Sequence, residues 1–177
     1  MTIHSHAMRD EDAVPTNIER PTPDMLKRAF SLFPSGVVIA TTLDAEGDPH
    51  GFTASTFVPL SVDPPMVLMC LNRSARCFEA FMTSQRFAVS VLRPGHEEVA
   101  MRFATRGADK FKDVVFDRTG DGLPVIEGAL ATFECRTSGR HPGGDHVILT
   151  GVVEGLCFED GGAAMVHFVR SFRELQV

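Results

Sequence analysis

Two hydrophobic patterns run along the chain, and together they predict a mostly β protein with a few helices. Apolar residues recur at helical spacing across positions 26–33, directly after Thr22-Pro23-Asp24, a sequence that favours a helix start. The β-branched run at 37–42 is typical of a buried strand. A polar turn at 44–49 then leads to a return strand that we expect to run from Gly51 to Phe57.

The remaining chain continues this pattern of short strands. We expect further strands at 66–72, 86–92, 129–137, 146–158 and around 163–169, with helices at about 74–83 and 95–104. Hairpin-like neighbours with so few helices favour a mostly antiparallel β-barrel over alternating parallel units. Residues 1–21 lack apolar periodicity and are predicted to be a flexible N-terminal arm, so that 22–177 forms a single domain.

Composition narrows the classes of partner and compartment. The 177 residues are 44% hydrophobic and 23% charged, as expected for one globular domain, and the net charge of −6 argues against nucleic acid as the main partner. The four cysteines are far apart and form no CxxC pair, which favours reduced thiols and the cytoplasm. The sequence has no apolar run of about 18 residues, so we expect no membrane span.

Groups suited to a flat, anionic ligand flank the predicted strand at 66–72. On one side, alternation in a strand directs Thr53, Ser55 and Phe57 to one face and Ala54 and Thr56 to the other. The hydroxyls can bind the polar edge of a ring, although ordinary packing of a barrel strand would explain the same residues.

On the other side, Asn72-Arg73-Ser74-Ala75-Arg76-Cys77 leads into the predicted helix at 74–83. Ser74 is the expected N-cap, which would direct the backbone N–H groups of 75–77 and the Arg76 side chain toward a phosphate. A capped surface helix with solvated arginines is the alternative interpretation.

Two further segments carry candidate chemistry. Arg102, Phe103, Arg106 and Lys110 form a second basic cluster, although a cation near the end of a helix is favourable without any ligand. Gly143-Gly144-Asp145-His146 opens a strand where backbone can approach a ligand closely, and a lone strand histidine is otherwise structural. The gaps between Cys135, His141 and His146 match no compact zinc motif, so we expect no metal.

The order of these segments resembles the flavin reductase family, whose members use NAD(P)H to reduce flavin on an FMN-binding split barrel. The resemblance extends through 86–92, 122–131 and Gly144-Asp145-His146 and spans most of residues 24–173. It implies FMN or FAD and NADH or NADPH as cofactors, a homodimer, and a partner monooxygenase that receives reduced flavin. The family usually has Ser or Thr where this chain has Cys77.

The resemblance also implies roles for individual residues. His146 is expected beside the nicotinamide as the catalytic residue. The expected flavin-binding residues are Thr53, Ala54, Ser55, Thr56, Leu71, Asn72, Ser74, Arg76, Cys77, Phe103 and Lys110. Two alternatives stay open: a split-barrel oxidoreductase that uses FMN on an organic substrate, and a module that binds flavin without catalysis.

Overall fold

The computed structural model describes residues 18–112 and 114–175. Most of the predicted N-terminal arm, including His4 and His6, lies outside the described residues. The helices are α1 (Pro23–Ser31), α2 (Phe78–Thr83) and α3 (Glu97–Ala104). The strands are β1 (Ser35–Gly36), β2 (Val38–Leu43), β3 (Pro49–Ala54), β4 (Phe57–Val62), β5 (Pro65–Asn72), β6 (Arg86–Val91), β7 (Phe116–Arg118), β8 (Pro124–Ile126), β9 (Ala131–Gly143), β10 (His146–Phe158), β11 (Ala164–Phe168) and β12 (Ser171–Leu175).

Seven strands form one antiparallel sheet in the order β3-β2-β6-β9-β10-β5-β4. The strands β3 and β4 follow one another in sequence but lie at opposite ends of this order, with no ladder between them in the described chain. The sheet curves around one core without closing, which makes it an antiparallel split β-barrel, as the sequence predicted. Two small sheets, β1-β11-β12 and β7-β8, flank it.

The two larger of three apolar clusters lie on opposite faces of the sheet. The barrel core includes Val89, Phe87, Met69 and Leu149, and the second cluster holds α3 and β11 against the outer face of β2. Both faces of β2 are therefore covered, which explains its nearly continuous apolar sequence at 37–42. Burial of this apolar surface is the main favourable term for the fold.

A glycine brings α3 close to the sheet. A Cβ atom built on Gly51 would lie 2.7 Å from Cε1 of Phe103 and 2.8 Å from the carbonyl oxygen of Ala40. Such distances leave no space for any other side chain at position 51. The glycine thereby lets the Phe103 ring rest directly on the backbone of β3, where its side chain is 1% exposed.

The predicted start of α1 is confirmed, but the helix does not bury its apolar side. Thr22 Oγ1 accepts a hydrogen bond from the Met25 N–H group at 3.3 Å, with Pro23 in the first helical position. Phe30 and Phe33 are nevertheless 70% and 75% exposed. The helix is attached through the turn between β11 and β12, where the N–H group of Val169 donates to the carbonyl oxygen of Ser31 at 2.7 Å.

Several predicted elements need correction. The strand expected from Gly51 to Phe57 is divided at Ser55-Thr56, because the chain there crosses from β3 at one end of the sheet to β4 at the other. The expected helix at 74–83 begins only at Phe78. Strands β1, β7, β8 and β12, and β4 after Phe57, were not predicted. Strands β1, β7 and β8 have only two or three residues, which are too few for a periodic pattern.

Candidate functional site

A cleft of about 370 Å³ opens at the split of the barrel. Its walls are formed by the β3–β4 crossing, the end of β5, the following turn, the segment after α3 and the start of β10. The lining residues are Phe52, Thr53, Ala54, Ser55, Thr56, Cys70, Leu71, Asn72, Ser74, Ala75, Arg76, Phe103, Ala104, Thr105, Arg106, Gly107, Lys110 and His146. Every residue that the sequence predicted to bind flavin or nicotinamide lines this cleft, except Cys77.

The β3–β4 crossing forms one wall of the cleft. The hydroxyl of Thr53 donates to the carbonyl oxygen of Ala100 at 2.6 Å, so it holds α3 against β3. Thr56 Oγ1 accepts a hydrogen bond from the Cys70 N–H group at 3.3 Å. Ser55 is exposed, and its hydroxyl makes no hydrogen bond with other described residues. The hydroxyl of Ser55 is therefore the one most available to a ligand on this wall.

The turn at 72–77 differs from the predicted helix cap. Both the N–H group and the hydroxyl of Ser74 donate to Oδ1 of Asn72 at 2.8 Å, which folds the chain into a turn in place of a helix start. Cys77 occupies the N-cap position of α2 without a side-chain capping bond. The prediction that Ser74 is the N-cap of this helix is therefore wrong, while phosphate binding by residues of this turn stays a prediction.

Cys77 turns away from the cleft into the barrel core, where it is 4% exposed. Burial raises the pKa of its thiol, and the nearby positive charge of Lys110 opposes that rise. Cys77 therefore does not line this cleft, and its expected contact with flavin stays a prediction. A small side chain fits this buried position whether or not it carries a hydroxyl.

Three cations line one end of the cleft: Arg76, Arg106 and Lys110. Arg76 makes neither a hydrogen bond nor an ion pair with any other residue that the structure describes. Arg106 was noted in the basic cluster but was not among the expected binding residues, and its Nη2 donates to the carbonyl oxygen of Ser74 at 3.1 Å. Arg102 lies outside the cleft and pairs with Glu98 at 3.1 Å.

Lys110 is held in place by backbone oxygens. Its Nζ donates to the carbonyl oxygen of Phe103 at 2.7 Å and to that of Gly51 at 3.0 Å, and it lies 5.9 Å from the centre of the Phe103 ring. Burial lowers the pKa of the Lys110 ammonium, and the charge of Arg76 adds to the lowering. An anion near both groups would offset this repulsion and desolvation.

His146 lies at the margin of the cleft beside Asn72, its partner in the ladder between β10 and β5. Nδ1 of His146 lies 2.8 Å from Oδ1 of Asp145, and this hydrogen bond lowers the pKa of the Asp145 carboxyl. The turn before His146 is fixed by Arg73, whose N–H group donates to the Asp145 carbonyl oxygen at 3.0 Å and whose Nε donates to that of Gly144 at 3.3 Å. A carboxylate only accepts, so Nδ1 carries the proton and Nε2 of a neutral ring is an acceptor.

These groups suit a flat ring with a phosphate tail. Ala54 and Leu71 supply apolar surface next to the hydroxyl of Ser55, while the three cations gather at one end. An unpaired guanidinium is the group expected where a phosphate binds. The residues therefore fit FMN or the corresponding half of FAD.

Residues 30–176 match the model of the flavin reductase like domain. The chain belongs to the flavin reductase family. It is 46% identical over 151 residues to the actinorhodin polyketide dimerase of Streptomyces coelicolor, covering 85% of each chain. It is 35% identical over 134 residues to HsaB of Mycobacterium tuberculosis, the reductase subunit of a flavin-dependent monooxygenase, covering 76% of this chain and 71% of HsaB.

Among solved structures, this flavin reductase family member resembles the NADH:FAD oxidoreductase SgcE6 of Streptomyces globisporus in complex with NAD and FAD fragments. The TM-score is 0.82 and the identity 33%, over 89% of this chain and 97% of SgcE6. The family, the fold and the enzyme class expected from the sequence, a nicotinamide-dependent flavin reductase, are confirmed. No helix within the described ranges has the length and apolar character that crossing a membrane requires.

Proposed function

We propose that the cleft binds flavin with its ring beside residues 54–56 and Leu71 and its phosphate among Arg76, Arg106 and Lys110. The convergence of five chain segments on one cleft carries this proposal, together with Arg76, which has no hydrogen-bond or ion-pair partner among the described residues. When bound, flavin supplies the acceptor for the hydride of NADH or NADPH. The protein's part is then to bind and orient two flat molecules in contact, which needs no acid–base pair.

His146 is the residue that we assign to the nicotinamide. With Nδ1 held by Asp145, Nε2 can accept a hydrogen bond from the nicotinamide carboxamide group. That contact would fix the rotation of the nicotinamide above the flavin ring without any proton transfer.

We further propose that the protein acts as a homodimer through its exposed apolar groove. This groove has a volume of about 970 Å³ and is lined by Lys27, Phe30, Ser31, Phe33, Pro34, Ser35, Gly36, Ser55, Thr56, Phe57, Val58, Leu68, Cys70, His167 and Arg170. The neighbouring β4 is an edge strand with exposed Val58, Leu60 and Val62. Apolar surface of this extent marks an interaction site, and a second copy of the chain is the occupant that we propose.

The groove and the cleft share Ser55, Thr56 and Cys70. A second subunit in the groove would therefore border the flavin. We expect the reduced flavin to leave the cytoplasmic dimer for a partner monooxygenase, since the relative HsaB is the reductase subunit of a flavin-dependent monooxygenase.

The test is NADH consumption by the purified protein with and without added flavin. The proposal is supported if NADH or NADPH is oxidised at a rate that saturates with added FMN or FAD. This oxidation must also continue without an organic substrate. Flavin that binds but is never reduced would instead identify a binding module. Reduction that turns over only with an organic substrate would identify an oxidoreductase of the other split-barrel class.

A further inference from the structure

A two-residue loop, Gly144–Asp145, joins β9 to β10 directly before His146. Gly143 and His146 pair with each other across it, as the last and first residues of the two strands. Gly144 has a φ of +68°, the left-handed conformation that tight hairpin loops favour glycine to adopt. The loop thus sets where the His146 side chain leaves the strand and where the Asp145 carboxylate stands beside it.

Arg73, from the turn after β5, binds both peptide groups of this loop. Its backbone N–H group donates to the carbonyl oxygen of Asp145 at 3.0 Å, and its side-chain Nε donates to that of Gly144 at 3.3 Å. These two carbonyl groups belong to the planar peptide units on either side of the Asp145 Cα atom. Holding both units fixes the direction of the Asp145 side chain, whose Oδ1 lies 2.8 Å from Nδ1 of His146.

The Arg73 side chain has no part in the flavin cleft itself. Its chain neighbours Asn72 and Ser74 line the cleft, whereas Arg73 does not. The side chain is exposed and makes no ion pair within the described chain. Its one directed contact is therefore the hydrogen bond to Gly144, and an exposed bond of this kind contributes little to the stability of a fold.

We propose that Arg73 is a positioning residue for hydride transfer, which acts through Asp145 on the His146 ring. This inference rests on the proposed role of His146 at the nicotinamide. When the Nε bond is absent, the peptide unit between Gly144 and Asp145 is free to rotate, and the carboxylate no longer holds Nδ1 in one place. The His146 ring then presents its acceptor nitrogen to the nicotinamide in only a fraction of the molecules.

Flavin binding does not depend on this bond. The turn beside the cleft is closed by the N–H group and hydroxyl of Ser74, which donate to Oδ1 of Asn72 without the Arg73 side chain. The backbone N–H group of Arg73 also persists in any variant except proline. A change of the side chain alone therefore separates the position of the nicotinamide from the affinity for flavin.

Two substitutions separate the hydrogen bond from the charge. Arg73→Gln keeps an N–H donor on the same side-chain atom position as Nε but removes the charge, and Arg73→Met keeps the chain length with neither donor nor charge. Arg118→Met is the matched control. Arg118 is also exposed, lies outside the cleft and donates from Nη1 to a glycine carbonyl oxygen, that of Gly122, at 2.7 Å.

The measurements are the KM for NADH at saturating FMN, the dissociation constant of FMN and the midpoint of urea unfolding. We expect Arg73→Met to raise the KM about three- to tenfold, the factor that one net hydrogen bond gives. Its FMN affinity should stay within twofold, and its urea midpoint should not change. Arg73→Gln and Arg118→Met should both resemble the wild type. In a His146→Ala background, Arg73→Met should add no further rise, because two residues that act through one contact are not additive.

Three results would overturn the inference. An unchanged KM in Arg73→Met would show that the loop holds its place without the side chain. An equal rise in Arg73→Met and Arg73→Gln would show that the charge of Arg73 attracts the dinucleotide directly. A full additional rise in the His146→Ala background would show that Arg73 does not act through the histidine. Failure of the proposed role of His146 is a separate outcome, since His146→Ala alone would then keep the wild-type KM and transfer rate.

Discussion

Nδ1 of His146 lies 2.8 Å from Oδ1 of Asp145, although the two residues are neighbours in the chain. Adjacent residues of a strand point to opposite faces, so the contact depends on Asp145 lying in the turn before β10. The carboxylate sets which ring nitrogen carries the proton. It thereby leaves the other nitrogen of His146 as an acceptor at the margin of the cleft.

The first prediction concerns His146→Ala. Because His146 is assigned to orient the nicotinamide, its loss should raise the KM for NADH or slow hydride transfer by up to about a hundredfold, the effect of misplacing a donor by roughly 1 Å. Flavin affinity should stay nearly unchanged. Stopped-flow bleaching of bound flavin measures the transfer rate, and a wild-type rate with a wild-type NADH dependence would show that His146 is structural.

Asp145→Asn tests the same arrangement through its pH dependence. A lowered carboxyl pKa means that the hydrogen bond is present above the ordinary pKa of 3.8 and is lost only as the pH falls through the folded-state value. Titration of Asp145 should therefore cause no change in the KM of the wild type for NADH between about pH 5 and pH 8. The asparagine variant should show a raised KM for NADH across this range, and a KM equal to that of the wild type would contradict the role of Asp145.

Arg76→Ala should weaken FMN binding more than riboflavin binding. The lost charged phosphate contact should cost about 1.5–3 kcal/mol, or roughly tenfold to a hundredfold in affinity. Arg28→Ala is the control, since Arg28 lies in the last turn of α1 and outside the cleft. Titration of both ligands into both variants is the measurement, and equal losses for FMN and riboflavin would move the phosphate site to Arg106 and Lys110.

Gly51→Ala should destabilise the protein. Its new methyl group would overlap the Phe103 ring and the Ala40 carbonyl oxygen, and overpacking of this kind typically costs about 1–3 kcal/mol of unfolding free energy. Gly120→Ala is the control, because nothing lies within 4 Å of a Cβ atom built there. Urea unfolding of both variants measures the difference, and equal midpoints would show that α3 can move away at no cost.

Phe30→Glu should weaken the proposed dimer. Phe30 lines the apolar groove and is 70% exposed in the single chain, so a charge there would be buried when a second copy covers it. Phe158→Glu is the control, since Phe158 is 61% exposed and lies outside the groove. Light scattering at micromolar concentration should show dimers for the wild type and Phe158→Glu. A monomeric wild type with full activity would refute the homodimer.

Local signals account for what the sequence predicted correctly. The start of α1 depends on Thr22 and Pro23, which act within one turn of the chain, and the buried strand at 37–42 follows from its β-branched residues. Those patterns need no knowledge of distant contacts. The family's motif order then named site residues of which all but Cys77 line the cleft.

Long-range or competing contacts account for the errors. Ser74 has the chemistry of an N-cap, but its N–H group and hydroxyl both donate to Oδ1 of Asn72 in a turn, and the helix begins only at Phe78. Phe103 lines the cleft as expected, but its burial in the second core cluster, at 1% exposure, depends on the distant Gly51 and has no local signal in the sequence. Arg106 can be assigned to the cleft only from the structure, in which its side chain reaches the Ser74 carbonyl oxygen.

The residues Ser55, Thr56 and Cys70 belong to both the flavin cleft and the apolar groove. Two binding equilibria that use the same wall are thermodynamically linked, and the coupling must be reciprocal. If subunit association strengthens flavin binding by some factor, flavin binding would strengthen subunit association by the same factor. Dilution would then release the cofactor as well as the subunits, so that the apparent flavin affinity would depend on the concentration of the protein itself.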